Sequence, residues 1–111
     1  MKRVSSRRAK ACAISQPVRE RVYSRDGWQC IFNGPKCEHN RMLTPAHVLS
    51  AAHGGMGIEQ NLVTACIPCH HIFDNGTKEE RKACLDKAEA HLRSIYPDFD
   101  EIEREYHKYQ N

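Results

Sequence analysis

No stretch of this 111-residue chain stays apolar long enough to cross a bilayer, which takes about 20 such residues in a helix. The first eight residues, Met1-Lys2-Arg3-Val4-Ser5-Ser6-Arg7-Arg8, lack the apolar segment that follows the charges of a secretory leader. Internal repeats and low-complexity tracts are missing as well, so one folded domain with short appendages is expected. Apolar side chains make up 40% of the chain and mean hydropathy is −0.72. A core built from so little is small and gains from a metal staple. Without a leader, the six cysteines are expected to be reduced in a cytoplasm-like compartment, where metal binding is favoured over disulfides.

Charge is present but unevenly placed. The net charge is +3, yet residues 1–50 hold 10 Lys/Arg against 3 Asp/Glu, whereas residues 51–111 hold 7 against 11. A basic first half suits a polyanionic partner, since each phosphate contact releases counterions, and a solvated basic tail has the same composition. Residues 1–13 are basic and patternless and are expected to be a flexible arm; the folded domain then covers 14–111.

Ser15-Gln16-Pro17 predicts a helix start, with Ser15 as the cap and proline in the first turn, and Asp26-Gly27 predicts its end. Trp28 is expected to anchor the entry to Cys30. Leu43 to Leu49 suits a strand, placed at an edge by Pro45, and Leu62-Val63-Thr64-Ala65 its partner, across a loop containing Gly54, Gly55 and Gly57. A short helix follows over Cys66–Asp74, closed by Asn75-Gly76. Thr77-Lys78-Glu79-Glu80 has the form of a capping box, and Leu85, Ala88, Leu92 and Ile95 make a buried stripe ending at Pro97. Asp98 to Glu101 repeats the capping signal for a last short helix with Ile102 and Tyr106.

Cys66-x2-Cys69 lies directly against His70, His71 and Asp74. Together with Cys30 and Cys37, which bracket the Gly34-Pro35 turn, it forms two knuckles with the strand pair between them. Four thiolates so arranged predict a closed tetrahedral site of the kind that holds structural zinc. Buried thiols or disulfides are the plainer use of the same four residues, and His39 is a reserve ligand. Cys12 and Cys84 are read as ordinary thiols. On helical geometry His70 and Asp74, four apart, share a face, so a second ion could sit beside the first.

A second constellation joins His47, Asn61, His70 and Asp74. Its residues fall within Arg25-Asp26-Gly27-Trp28-Gln29-Cys30, Pro45-Ala46-His47-Val48, Gly54-Gly55 and Asn61-Leu62-Val63-Thr64-Ala65-Cys66-Ile67-Pro68-Cys69-His70. In this order the chain resembles the HNH endonuclease family, over about residues 14–110 and most closely over 25–76, and in particular its small phage-encoded branch. The resemblance implies an α+β fold with a ββα-metal (His-Me finger) core over about residues 42–76. Zinc knuckles would brace that core, an N-terminal helix would flank it, and C-terminal helices would follow over 77–110. It implies His47, Asn61 and His70 as the catalytic signature, with Asn61 tying the loop to the strand and fixing the His47 ring.

The chemistry asks for the same residue types. Hydrolysis of a phosphodiester needs a base near neutrality, which a neutral His47 provides, and charge stabilisation at the leaving 3′ oxygen. A divalent ion such as Mg²⁺, Mn²⁺ or Ni²⁺ on His70 and Asp74 would supply the latter. By resemblance the products carry 5′ phosphates and 3′ hydroxyls. One departure stands out: many relatives place a metal-ligating Asp or His just before the base, where this chain has Ala46. That favours a rival expectation, an inactive zinc-stabilised module that binds DNA or docks onto a partner.

Double-stranded DNA is the expected partner, gripped by Lys2, Arg3, Arg7, Arg8, Lys10, Arg19 and Arg25 through phosphates and hence with little sequence preference. The phage resemblance adds packaging proteins as possible partners, a bacterial host cytoplasm as the place, and no membrane.

Overall fold

The computed structural model describes residues 6–107. Its centre is a hairpin of β1 (Leu43–His47) and β2 (Leu62–Cys66), antiparallel, in a register that runs from Leu43 opposite Cys66 to His47 opposite Leu62. All five residues of β2 are buried. Pro45 faces Thr64 across the ladder. The Thr64 N–H and C=O bond elsewhere, to Asp26 Oδ2 (2.9 Å) and from the Ile31 N–H (3.0 Å), so the missing proline donor costs the sheet nothing. The polypeptide around the knuckle thus closes the outer edge of β2 without adding a strand.

Helices surround this pair, giving an α+β fold with a two-stranded sheet among the described residues. In α2 (Gln16–Arg25) Ser15 Oγ accepts the Val18 N–H at 3.3 Å, and Pro17 lies in the first turn, as the sequence predicts. α3 (Ile67–Asn75) leaves β2 without an intervening loop and packs on both strands. In α4 (Lys78–Ile95) the capping box is complete: Thr77 Oγ1 accepts the Glu80 N–H, and Glu80 Oε1 accepts the Thr77 N–H. Ala88 and Leu92 enter the core beside Phe32, Ala46, Val63 and Ala65, while Leu85 and Ile95 are half-buried. No helix among the described residues is long and apolar enough to cross a membrane.

Three expectations are corrected. The part of the arm that the structure describes is not free: Arg7–Cys12 forms a helix, α1, capped by Ser6. Six residues are too few to hold a helix in water, and tertiary contacts supply the rest. The Gly57 N–H donates to the Ala11 carbonyl at 2.9 Å and Arg8 Nη2 to the Ala52 carbonyl at 3.0 Å. At the other end, the last short helix is a 3₁₀ helix, Glu101–Arg104, that stops before Tyr106, and it exposes Ile102 while burying Arg104, whose Nε donates to the Gln60 carbonyl. Trp28 is 53% exposed and leans on the Tyr23 ring, so it does not anchor the knuckle from within.

Candidate metal centre and histidine site

Cys30, Cys37, Cys66 and Cys69 bring their sulfurs within 4.8 Å of one another. Tetrahedral zinc with thiolate bonds near 2.3 Å requires sulfurs about 3.8 Å apart. Cys37 and Cys66 meet that at 3.9 Å. Three of the four side chains are buried and Cys37 is half-buried. Backbone donors already face the sulfurs: Glu38 N–H to Cys66 Sγ at 3.3 Å and His39 N–H to Cys37 Sγ at 3.2 Å. Burial works against ionisation at Cys66, but the N–H groups of Glu38 and Cys69 reverse the balance and lower its pKa. Burial pushes the Cys37 and Cys69 thiols up. Ligand number, spacing and donors fit a structural zinc ion, whose binding would release the remaining protons.

The position of this cluster follows from the hairpin. Cys66 ends β2 and stands at the head of α3, one turn ahead of Cys69, while Cys30 and Cys37 bracket the loop that covers the outer edge of β2. His39 Nδ1 is 4.0 Å from Cys37 Sγ, so it touches a ligand and stays outside the quartet.

Asn61 is fully buried at the head of β2. Its Oδ1 accepts the Leu49 N–H at 2.8 Å, and its Nδ2 donates to the carbonyls of Leu49 and Met56, each at 3.0 Å. Both ends of the amide are therefore used, and they close the loop between the strands. A Cβ at Gly55 would overlap the Leu49 carbonyl and crowd Asn61 Nδ2, so the glycine lets the loop fold down onto this side chain. These bonds tie the loop to Leu49, two residues past the end of β1. The ring of His47 is held differently: its Nε2 lies 2.9 Å from the carbonyl of Cys12, at the end of α1. A backbone carbonyl is not a feature that side-chain spacing can reveal, and the sequence held no sign of it.

On α3, His70 Nε2 and Asp74 Oδ2 are 3.2 Å apart, the i, i+4 pairing that the sequence implied. Two adjacent ligands of an octahedral ion at about 2.1 Å would stand roughly 3.0 Å apart, so the pair has a suitable bite. His70 is about three-quarters covered and Asp74 more than half exposed, which leaves room for water ligands. Ala46 is fully covered within the apolar cluster, paired with Val63. A carboxylate there would enter the core, which is a physical reason for the small apolar residue.

The cationic residues divide. Arg7, Arg8 and Lys10 lie exposed on α1, and Arg19 is half-buried on α2; Lys2 and Arg3 lie outside the described residues. Arg25 is corrected from a phosphate contact to an internal one. Its side chain is 12% exposed, with Nε and Nη2 forked on the Asp26 carboxylate at 2.8 and 2.9 Å. It also reaches the carbonyls of Glu59 and Leu62. Asp26, wholly covered, accepts further from His91 Nε2 (2.7 Å) and the Thr64 N–H. Burial alone would raise the Asp26 pKa, but His91 and Arg25 hold it far below the usual carboxylate range. In sequence Asp26-Gly27 marked a helix stop and a stretch of the resemblance, and nothing linked Asp26 to His91 sixty-five residues away. Compared with known proteins, the chain matches no family model, no curated protein and no solved structure.

Proposed function

We propose that this chain is a metal-dependent endonuclease of the HNH type that hydrolyses DNA phosphodiester bonds with little sequence preference. The reading takes β1, β2 and α3 as a ββα-metal core. The observation that carries it is Asn61: a buried amide whose three hydrogen bonds close the loop between a strand ending in His47 and the strand that leads into the helix bearing His70 and Asp74. The resemblance expects an asparagine here, between two histidines in that order; its service to the loop supports the reading, while the ring of His47 is held by Cys12 instead.

In this reading His47 accepts the proton of the attacking water, since imidazole alone among neutral side chains titrates near pH 7. Asn61 transfers no proton and holds the loop. His70 and Asp74 would bind the working divalent ion, which supplies charge stabilisation at the scissile phosphate and the leaving oxygen. Arg7, Arg8 and Lys10, exposed on the helix whose last carbonyl touches His47, suit phosphates on either side of the cut.

The test is nicking of supercoiled plasmid with added Mg²⁺, Mn²⁺ or Ni²⁺ after the thiolate site has been filled with zinc. His47→Ala and His70→Ala should each abolish metal-dependent nicking, and cutting that survives His47→Ala intact refutes the base. A second reading, a zinc-stabilised module that binds DNA or a partner such as a packaging protein without cutting, draws on the covered Ala46. Titrating a second divalent ion separates the two, because only the enzyme needs a site that is lost with His70.

A further inference from the structure

We infer that α1 is part of the histidine site, with the Cys12 backbone carbonyl as a positioning group that sets the tautomer of His47 and leaves Nδ1 as its proton-accepting atom. The inference rests on the nuclease reading for its catalytic use and on geometry alone for the contact.

A carbonyl oxygen only accepts, so the 2.9 Å contact with Cys12 requires a proton on His47 Nε2. In the neutral ring the lone pair is then on Nδ1, and that atom is the base. The resemblance gave the task of fixing this ring to Asn61. Here the Asn61 amide is fully occupied by the backbone at Leu49 and Met56, and none of its hydrogen bonds goes to the imidazole. The carbonyl of Cys12 takes over the task from another part of the chain.

The contact is built rather than incidental, because α1 is fastened on three sides to the segment that carries His47. Arg8 Nη2 donates to the Ala52 carbonyl, the Gly57 N–H to the Ala11 carbonyl, and His47 itself to Cys12. Cys12 is 7% exposed, although every described residue before Ala11 is exposed. Gly57 is the point of closest approach: a Cβ there would land on the Ala13 carbonyl and lie 3.2 Å from the Cys12 oxygen. Only glycine lets the end of α1 come down far enough to reach the ring.

Gly57→Ala therefore pushes the Cys12–Ala13 carbonyls away from His47 while leaving His47, Asn61, His70 and the cysteines in place. The full-length, zinc-loaded protein is labelled with ¹⁵N, and the imidazole tautomer is read from long-range ¹⁵N–¹H couplings. We expect one neutral form, protonated at Nε2, in the wild type and a mixture of tautomers in Gly57→Ala. In nicking assays kcat should fall by about ten- to a hundredfold, as displacement of a reacting group does, with KM for DNA within about twofold. Zinc content and the far-ultraviolet spectrum serve as controls for folding. Should Gly57→Ala not fold, Ser6→Ala removes the Oγ that caps α1 at the Ala9 N–H and loosens the helix from outside the site.

An Nδ1-protonated or mixed ring in the wild type overturns the inference. So does an unchanged tautomer with an unchanged or faster rate once α1 is loosened; a faster rate would make α1 a cover. Nicking that ignores His47 sinks the nuclease reading and the catalytic use of the contact together, and the spectra then decide only whether Cys12 holds the ring.

Discussion

Replacing Asp26 by asparagine should destabilise the fold by about 3–5 kcal/mol, the range found when one partner of a buried ion pair is removed. The side chain is completely covered and accepts four hydrogen bonds, two from Arg25 and one each from His91 and the Thr64 N–H. Asparagine fills the same space but carries no charge, and its amide nitrogen would face a donor. The Arg25 guanidinium, 12% exposed, is left without its counterion. In a domain of this size the loss corresponds to a fall in Tm on the order of 10–20 °C.

The effect should depend on pH in one direction. The folded pKa of Asp26 lies below its unfolded value, near 3.9 for a free aspartate, so its contribution is fully present above that value. It is lost as pH falls through the acid range towards the folded pKa. The gap between wild type and Asp26→Asn should narrow between about pH 5 and 3. If the thiolate quartet holds zinc, the ion leaves both proteins as the thiols reprotonate, so the quantity to follow is their difference at each pH, from urea unfolding at fixed total zinc. A variant within about 1 kcal/mol of wild type at pH 7, or a gap that widens between about pH 5 and 3, would refute the account of this cluster.

Removal of zinc by a chelator, or Cys69→Ser, should abolish cooperative unfolding, because structural zinc sites contribute on the order of 10 kcal/mol to small folds. One equivalent of zinc per chain in the native protein and none in the variant is the accompanying measurement. Asn61→Ala should cost about 2–4 kcal/mol, since it leaves the Leu49 N–H and two carbonyls unpaired inside the loop, read from the urea midpoint. If DNA is the partner, changing Arg7, Arg8 and Lys10 together to alanine should reduce the slope of log binding constant against log salt by about 2–3. Fluorescence anisotropy over a salt series measures it, and an unchanged slope removes α1 from the interface.

Much of the framework could be read from residue order because its signals are local. Ser15 and Pro17 mark the start of α2, Thr77 and Glu80 that of α4, and Pro45 indicates a strand with one idle donor position. The four cysteines were legible because close spacing of soft ligands has few other uses. What escaped depends on partners distant in sequence. α1 has no apolar periodicity and persists through contacts with Ala52, His47 and Gly57, none of which can be inferred from Arg7–Cys12 itself. Arg25 beside Asp26 resembles solvated charge until β2 and α4 close over it. At Glu101–Arg104 the capping signal at Asp100 is real, but backbone bonds from Met56 to Arg104 and from Tyr106 to Gly54 pin the turn and decide which side chain is covered.

The order in which the four sulfurs occur along the chain has a consequence for biosynthesis. Cys30 and Cys37 leave the ribosome well before Cys66 and Cys69, and two thiols alone hold an ion weakly. The later pair comes into position only when β2 has aligned against β1, because Cys66 is the residue at which that strand ends. If the quartet binds zinc, capture of the ion waits for the hairpin, and the ion then adds to what the apolar core of Phe32, Ala46, Val63 and Ala65 already supplies. A cell starved of zinc should accumulate this chain as a protease-sensitive nascent product, and supplying the ion should rescue it without new translation.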